Sequence, residues 1–240
     1  MKILIVGGSG GIGSALVRLF LASSSDVVVY ATYRTQQPMF EGRRVENHRV
    51  QWFKLDATSE QDICSLARSI SNLDVLINAV GTLHLPDQKP EKTVNQFNAD
   101  FFNHNINTNV LPTIFLAKYF SKHLKSRRHT YFVSISARIG SIEDNRVGGW
   151  ISYRCSKAAL NMAIKTISIE WKHKLPGCCV FAFHPGTTDT RLSQPFQKNV
   201  PPEQLFTPDY VAQKILSLLN AKGPKDTGKF FSYAGEEIAW

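Results

Sequence analysis

Tyr153 and Lys157 are the two residues whose type and spacing best suit them to move a proton. The segment from about Ser152 to Lys174 reads as a helix, and residues four apart on a helix share a face. A free phenol has a pKa of about 10, too high for easy exchange near neutrality. An ammonium held beside it favours the phenolate and lowers that value, so the pair becomes a general acid or base. The same spacing also occurs on ordinary half-buried helix faces. The pair gains meaning only if the fold brings something to it on which to act.

The N-terminal stretch supplies a candidate. Residues 3–6 form a short apolar run typical of a buried strand. Gly7-Gly8-Ser9-Gly10-Gly11-Ile12-Gly13 follows, and Ser14–Leu21 reads as a helix. A glycine-rich turn between strand and helix lets the backbone approach a pyrophosphate, and the helix N-terminus offers free N–H groups and partial positive charge. No Lys-Ser/Thr follows, so this is not a nucleoside-triphosphate loop. The second strand, Val27–Tyr33, has no acidic residue near its end to hold a ribose 2′-hydroxyl. It is followed by Arg34, which suits the 2′-phosphate of NADP. NADP(H) is therefore expected in preference to NAD(H).

The remaining elements alternate. Gln36–Arg49 reads as loop. Strands are expected at Val50–Leu55, Leu73–Asn78, Tyr131–Ile135, Cys178–Phe183 and Gly228–Tyr233. Helices are expected from Thr58 or Ser59 to about Ser71, from about Asn105 to Leu124, and from Pro208 to about Leu219. Pro112 either kinks the second of these or marks its start. Asp56, just past a strand, either bonds an adenine amino group or turns the chain. Asn78 and Ser136 also stand at strand ends, where open α/β sheets bind ligands. The pattern predicts an α/β chain of one doubly wound Rossmann-type domain over residues 1–240, with a mainly parallel sheet of about seven strands flanked by helices on both faces. The proline-rich stretch 191–208 is a candidate lid over the substrate.

Composition narrows the classes. The 240 residues are 43% hydrophobic and 20% charged, as in an ordinary globular protein. No apolar run reaches about 18 residues, so no membrane association is expected, and the short N-terminal run lacks a signal-peptide pattern. Cytoplasmic residence follows as an expectation. The four cysteines form no C-x-x-C pair, no His cluster has zinc spacing, and no metal is expected. The net charge of +9 is scattered, apart from basic residues between Lys118 and Arg128, which favours an anionic small molecule over nucleic acid.

With these motifs in place, the whole chain resembles the short-chain dehydrogenase/reductases. The motif order is the glycine turn, Asp56, Asn78-Ala79-Val80-Gly81, Asn109, the serine segment, Tyr153-x-x-x-Lys157 and Pro185-Gly186. Within that family it looks most like the C-factor-like group related to sniffer-type carbonyl reductases. The matching stretches include Ser136–Ile142, Gly148-Gly149-Trp150 and His184-Pro185-Gly186-Thr187. The resemblance implies hydride transfer between a nicotinamide and a small carbonyl or alcohol, with Tyr153 as general acid in reduction. Lys157 would bind the nicotinamide ribose and lower the tyrosine pKa, Asn109 would hold a relay water, Asp56 would bind adenine, and Asn78 would support the sheet. Cofactor contacts are implied at Gly7, Ser9, Gly10, Gly11, Ile12, Gly13, Arg34, Asp56, Ala57 and Asn78–Gly81. They continue at Tyr153, Lys157, Pro185, Gly186, Thr187, Thr188 and Thr190. A homodimer or homotetramer through two long helices is implied as well. Two departures stand out. The family's Asn-Asn-Ala-Gly is Asn-Ala-Val-Gly here, and the residue aligned with the catalytic serine is Ala137. The polarising hydroxyl then falls to Ser136, or else Ser141. The Ala137 departure also opens the alternative of a dinucleotide-binding signalling protein with little turnover.

Overall fold

The computed structural model describes residues 1–40, 43–44 and 48–240. Seven strands form one sheet: β1 Lys2–Val6, β2 Val28–Tyr33, β3 Val50–Lys54, β4 Val75–Asn78, β5 Thr130–Ile135, β6 Cys178–His184 and β7 Lys229–Ser232. Their order is β7-β6-β5-β4-β1-β2-β3, and every pairing is parallel. The chain leaves β1 in one direction through β2 and β3, then returns to β4 on its other side. This reversal opens a crevice at the carboxyl ends of β1 and β4.

Among the described residues six helices cover the sheet: α1 Gly11–Ser23, α2 Glu60–Ser69, α3 Ala99–Asn109, α4 Leu111–Phe120, α5 Ile151–Lys174 and α6 Pro208–Ala221. Successive strand residues point to opposite faces, and the apolar side chains divide accordingly. Ile3 and Ile5 of β1 pack with Leu16 and Phe20 of α1 and Ile215 of α6. Leu4 and Val6 pack on the other face with Ile63 of α2, Phe120 of α4 and Ile164 of α5. The adjacent Cys178 and Cys179 enter opposite cores as expected, and both are free thiols.

Two expectations need revision. The single helix expected from Asn105 is two helices. Asn98 caps the first by accepting the Phe101 N–H at 2.8 Å, and the break falls at Val110, so Pro112 sits in the first turn of α4. Proline fits there because the first-turn N–H groups have no intrahelical partner. The Gln36–Arg49 stretch contains a two-residue antiparallel pairing of Met39–Phe40 with Arg43–Arg44, while Gly42 lies outside the described residues. In the proline-rich stretch, Leu205–Phe206 pairs in parallel with Thr187–Thr188, and short 3₁₀ turns span Gln194–Asn199 and Pro202–Gln204.

Candidate active site

The glycine turn is shaped by contacts that a side chain would obstruct. Gly7 has φ +83°, and its carbonyl accepts the Gly10 N–H at 3.0 Å. A Cβ on Gly13 would lie 2.1 Å from that same carbonyl oxygen, and one on Gly11 would lie 2.5 Å from Thr190 Cγ2. The turn is tied to β2, since the Gly7 N–H donates to Thr32 Oγ1 at 2.9 Å and the Ser9 N–H to the Thr32 carbonyl at 3.2 Å. At the start of α1, Gly10 offers no capping side chain, and no acidic residue stands in the first turn. The first N–H groups of the helix are thus left for an anion, and the glycine-lined cradle fits a dinucleotide pyrophosphate.

Arg34 is exposed directly after β2. Asp56 stands beyond β3, where its Oδ1 accepts the Thr58 N–H at 2.9 Å and the Thr58 hydroxyl at 2.7 Å. These bonds, with a smaller pull from the Arg34 charge, lower its pKa below the usual carboxylate range. Asp56 therefore shapes its turn. Its neighbour Ala57 is buried in the core beside α2.

Two asparagines knit the middle of the site. Asn78 Nδ2 donates to Thr113 Oγ1 at 2.8 Å, its Oδ1 accepts the Val80 N–H at 3.1 Å, and Thr113 Oγ1 lies 3.0 Å from Ser134 Oγ. This buried chain joins β4, α4 and β5. Asn109 Oδ1 accepts the Thr82 N–H at 2.7 Å, while its Nδ2 donates to the Thr82 carbonyl at 3.0 Å and to Ser156 Oγ at 2.9 Å. Asn107 is exposed. A Cβ on Gly81 would come within 3.3 Å of Asn109 Oδ1 and 3.5 Å of Lys157 Nζ, so the chain passes closely beside both groups.

Tyr153 and Lys157 are 7% and 3% exposed. Lys157 Nζ donates to the Ile135 carbonyl at 3.1 Å and lies 5.8 Å from the centre of the Tyr153 ring. Burial raises the phenol above its ordinary range and draws the lysine down to about 8. The expected lowering of the tyrosine by its lysine is thus overridden by desolvation. Ser136 is buried, and its hydroxyl donates to Asn161 Oδ1 at 2.6 Å. The hydroxyl hydrogen of Ser136 is therefore directed at Asn161. Ser141 Oγ accepts the Asp144 N–H at 3.2 Å, and Ala137 is half-buried.

The outer wall gathers three loops. Trp150 lies edge-on to Tyr153 at 6.4 Å between ring centres, Phe196 packs on Trp150 at 5.1 Å, and His84 packs on Phe196 at 5.7 Å. Beyond β6, Gly186 has φ +71°, and a Cβ there would lie 2.6 Å from the Phe206 ring. This close approach lets Thr187–Thr188 pair with Leu205–Phe206 and brings Thr190 against Gly11. Ser156, Asn161 and Glu91 were not expected from the sequence. Only the helical spacing of Asn161, eight residues after Tyr153, offered any signal.

The model of the short chain dehydrogenase family matches residues 1–201. The chain belongs to this family. Its members act on CH–OH and C=O groups and use a nicotinamide dinucleotide. An uncharacterized oxidoreductase of Saccharomyces cerevisiae is 31% identical over 255 residues, covering 97% of this chain and 95% of the relative. The C-signal protein of Myxococcus xanthus is 34% identical over 106 residues, covering 44% of this chain and 58% of that protein. The crystal structure of NADPH-bound carbonyl reductase from chicken fatty liver superposes with a TM-score of 0.85 at 26% identity, covering 100% of this chain and 94% of that one. Carbonyl reductase Sniffer of Drosophila melanogaster shares the fold with a TM-score of 0.85 at 22% identity, covering 100% of this chain and 99% of that one. Among the described residues, no helix is long and apolar enough to cross a membrane.

Proposed function

We propose that this chain is an NADP(H)-dependent oxidoreductase that interconverts an apolar carbonyl compound and its alcohol, with Tyr153 as the proton donor in reduction. The observation that carries this reading is the burial of Tyr153 beside Lys157 at the sheet edge that also holds the open glycine turn. Bound there, the cofactor supplies or accepts the hydride. The first N–H groups of α1 take its pyrophosphate, and the Arg34 guanidinium takes the 2′-phosphate. A phenol raised by burial stays protonated near neutrality but is a weaker acid, so donation from it depends on the neighbouring Lys157. A lysine drawn down to about 8 sheds its proton more readily than an exposed one and can resupply the tyrosine through a water held near Asn109. Trp150, Phe196 and His84 form an aromatic wall beside the phenol, which favours a flat, apolar carbonyl. The NADPH-bound carbonyl reductase of the same fold supports the choice of cofactor and reaction.

The committed Ser136 hydroxyl and the alanine at position 137 favour one second reading, a dinucleotide-binding signalling protein with little turnover. Following reduced-nicotinamide absorbance with a panel of aldehydes and ketones separates the two. Consumption that disappears in Tyr153→Phe establishes the first reading; cofactor binding without consumption establishes the second. The exposed apolar residues Ile114 on α4 and Met162 and Ile169 on α5 are consistent with a homodimer or homotetramer through these helices.

A further inference from the structure

The helix that carries Tyr153 has no cap of its own. Trp150 precedes it, and an indole has no side-chain acceptor for the first N–H groups. Trp150 also has φ +52°, and among the described residues it is the only non-glycine residue with positive φ. Gly148 and Gly149 come just before it at φ +69° and +67°. Three successive left-handed residues therefore lead into the helix, and the third is bulky. Such a conformation persists only where its surroundings hold it.

Glu91 supplies that hold from 61 residues away. It is 2% exposed. Its backbone carbonyl accepts the Trp150 N–H at 2.5 Å, and its carboxylate accepts the Ser152 N–H at 3.3 Å and the Ser152 hydroxyl. Among the described residues, no basic side chain forms an ion pair with it. Its side-chain oxygens instead face the N-terminal end of α5. The clamped residues, Trp150 and Ser152, flank Ile151 at the start of the helix, and Tyr153 comes next. The indole that walls the phenol and the phenol itself thus hang from the same clamp.

We propose that Glu91 is a positioning residue whose carboxylate aims Tyr153 by fixing the first turn of α5 at Ser152, beside the backbone bond, unchanged by substitution, that holds Trp150. This rests on the reading of Tyr153 as proton donor. Glu91 touches no reacting group, and the effect of its carboxylate passes through Ser152.

The test compares Glu91→Ala and Glu91→Gln with the wild-type full-length chain, using kinetics with NADPH and a carbonyl panel and hydrogen–deuterium exchange across residues 150–157. A glutamine keeps both contacts, since its oxygen accepts the Ser152 N–H and its amide donates to Ser152 Oγ. Glu91→Ala should lower kcat about 10–100-fold, the scale of a small misplacement of a reacting group, while the cofactor KM stays near the wild-type value. Exchange at the first turn of α5 should accelerate. Glu91→Gln should recover kcat to within about 3-fold of wild type, because geometry rather than charge aims the phenol. An Ala variant with wild-type kcat and exchange would overturn the proposal, as would a Gln variant as impaired as Ala. If Glu91→Ala does not fold, Ser152→Ala cuts one arm of the clamp and should still reduce kcat several-fold with an unchanged cofactor KM; an unchanged kcat there also overturns it. Exchange is read without turnover, so an inactive wild type would refute the functional reading while leaving the clamp decided by exchange alone.

Discussion

The N-termini of α1 and α5 face the same carboxyl edge and are finished in opposite ways. The α1 end is open: glycine flanks it, no side chain caps it, and its first turn has no acid. The α5 end is closed by a buried carboxylate from a distant loop. An open end keeps its N–H groups and partial positive charge for an anionic ligand. A closed end attracts no anion but gains a fixed geometry for the side chains of its first turn. On the proposed reading one helix end binds and the other aims, and the difference lies in whether an acceptor has been provided.

The largest predicted effect breaks the aiming end at its tip. Tyr153→Phe should lower kcat by about 10²–10⁴-fold, while NADPH titration by fluorescence gives an affinity close to wild type. Substantial turnover in that variant would remove Tyr153 from the mechanism. Breaking the binding end comes next. In Gly13→Ala the new methyl would lie 2.1 Å from the Gly7 carbonyl oxygen. The turn must shift, costing about 1–3 kcal/mol of stability and weakening cofactor binding by about 100-fold. An unchanged melting temperature and unchanged NADPH affinity would show that the turn is not the cradle described here.

The two ends differed in how much the sequence revealed. The open one was legible because all its parts are local: strand, glycines and helix lie within residues 2–23. The sheet was legible for a similar reason, since buried parallel strands are short apolar runs whose residues alternate between two cores. The closed end was not legible, because Glu91 lies in a polar loop and no local pattern links it to Ser152. Nor could the tyrosine pKa be read. A lysine four residues away argues for lowering, but the depth of burial belongs to the whole fold, and burial wins. The commitment of Ser136 to Asn161 is likewise tertiary. The start of α3 was missed although Asn98 is a good N-cap residue, because the aromatic and polar residues after it lack a clear helical period.

Two further variants sharpen the account of the open end. Arg34→Ala should weaken NADPH binding about 10–100-fold while leaving NADH binding nearly unchanged, since a charge-assisted hydrogen bond contributes about 1.5–3 kcal/mol. Equal losses for both cofactors would mean that Arg34 does not read the 2′-phosphate. Gly10→Asp converts the open end into a closed one. Gly10 has φ −76°, which any residue adopts, and its Cβ would meet only the Gly7 carbonyl oxygen at 3.3 Å. The new carboxylate should stabilise the free protein by about 0.5–1 kcal/mol and weaken NADPH binding about 10-fold. The opposite signs are the test, because a variant that loses both stability and affinity would be merely misfolded at the turn.

A third closure is titratable and gives the smallest effect. The short helical turn Arg138–Gly140 follows β5, and the Arg138 N–H donates to His184 Nδ1 at 3.2 Å. A ring nitrogen accepts only while it is unprotonated. Burial, reinforced by the Arg138 charge and opposed by Asp144, draws the His184 pKa down from 6.5 to about 4. Between these values the unfolded chain binds the proton that the folded chain refuses, so stability rises with pH across this window and falls as the solution is acidified. The loss should be about 1 kcal/mol between pH 6.5 and about pH 5.5. In His184→Asn, whose amide oxygen can accept the same N–H without titrating, that part of the pH dependence should flatten. Melting curves at matched ionic strength measure the difference. Parallel wild-type and variant slopes in this window would show that the Arg138 turn is held by something other than a neutral imidazole.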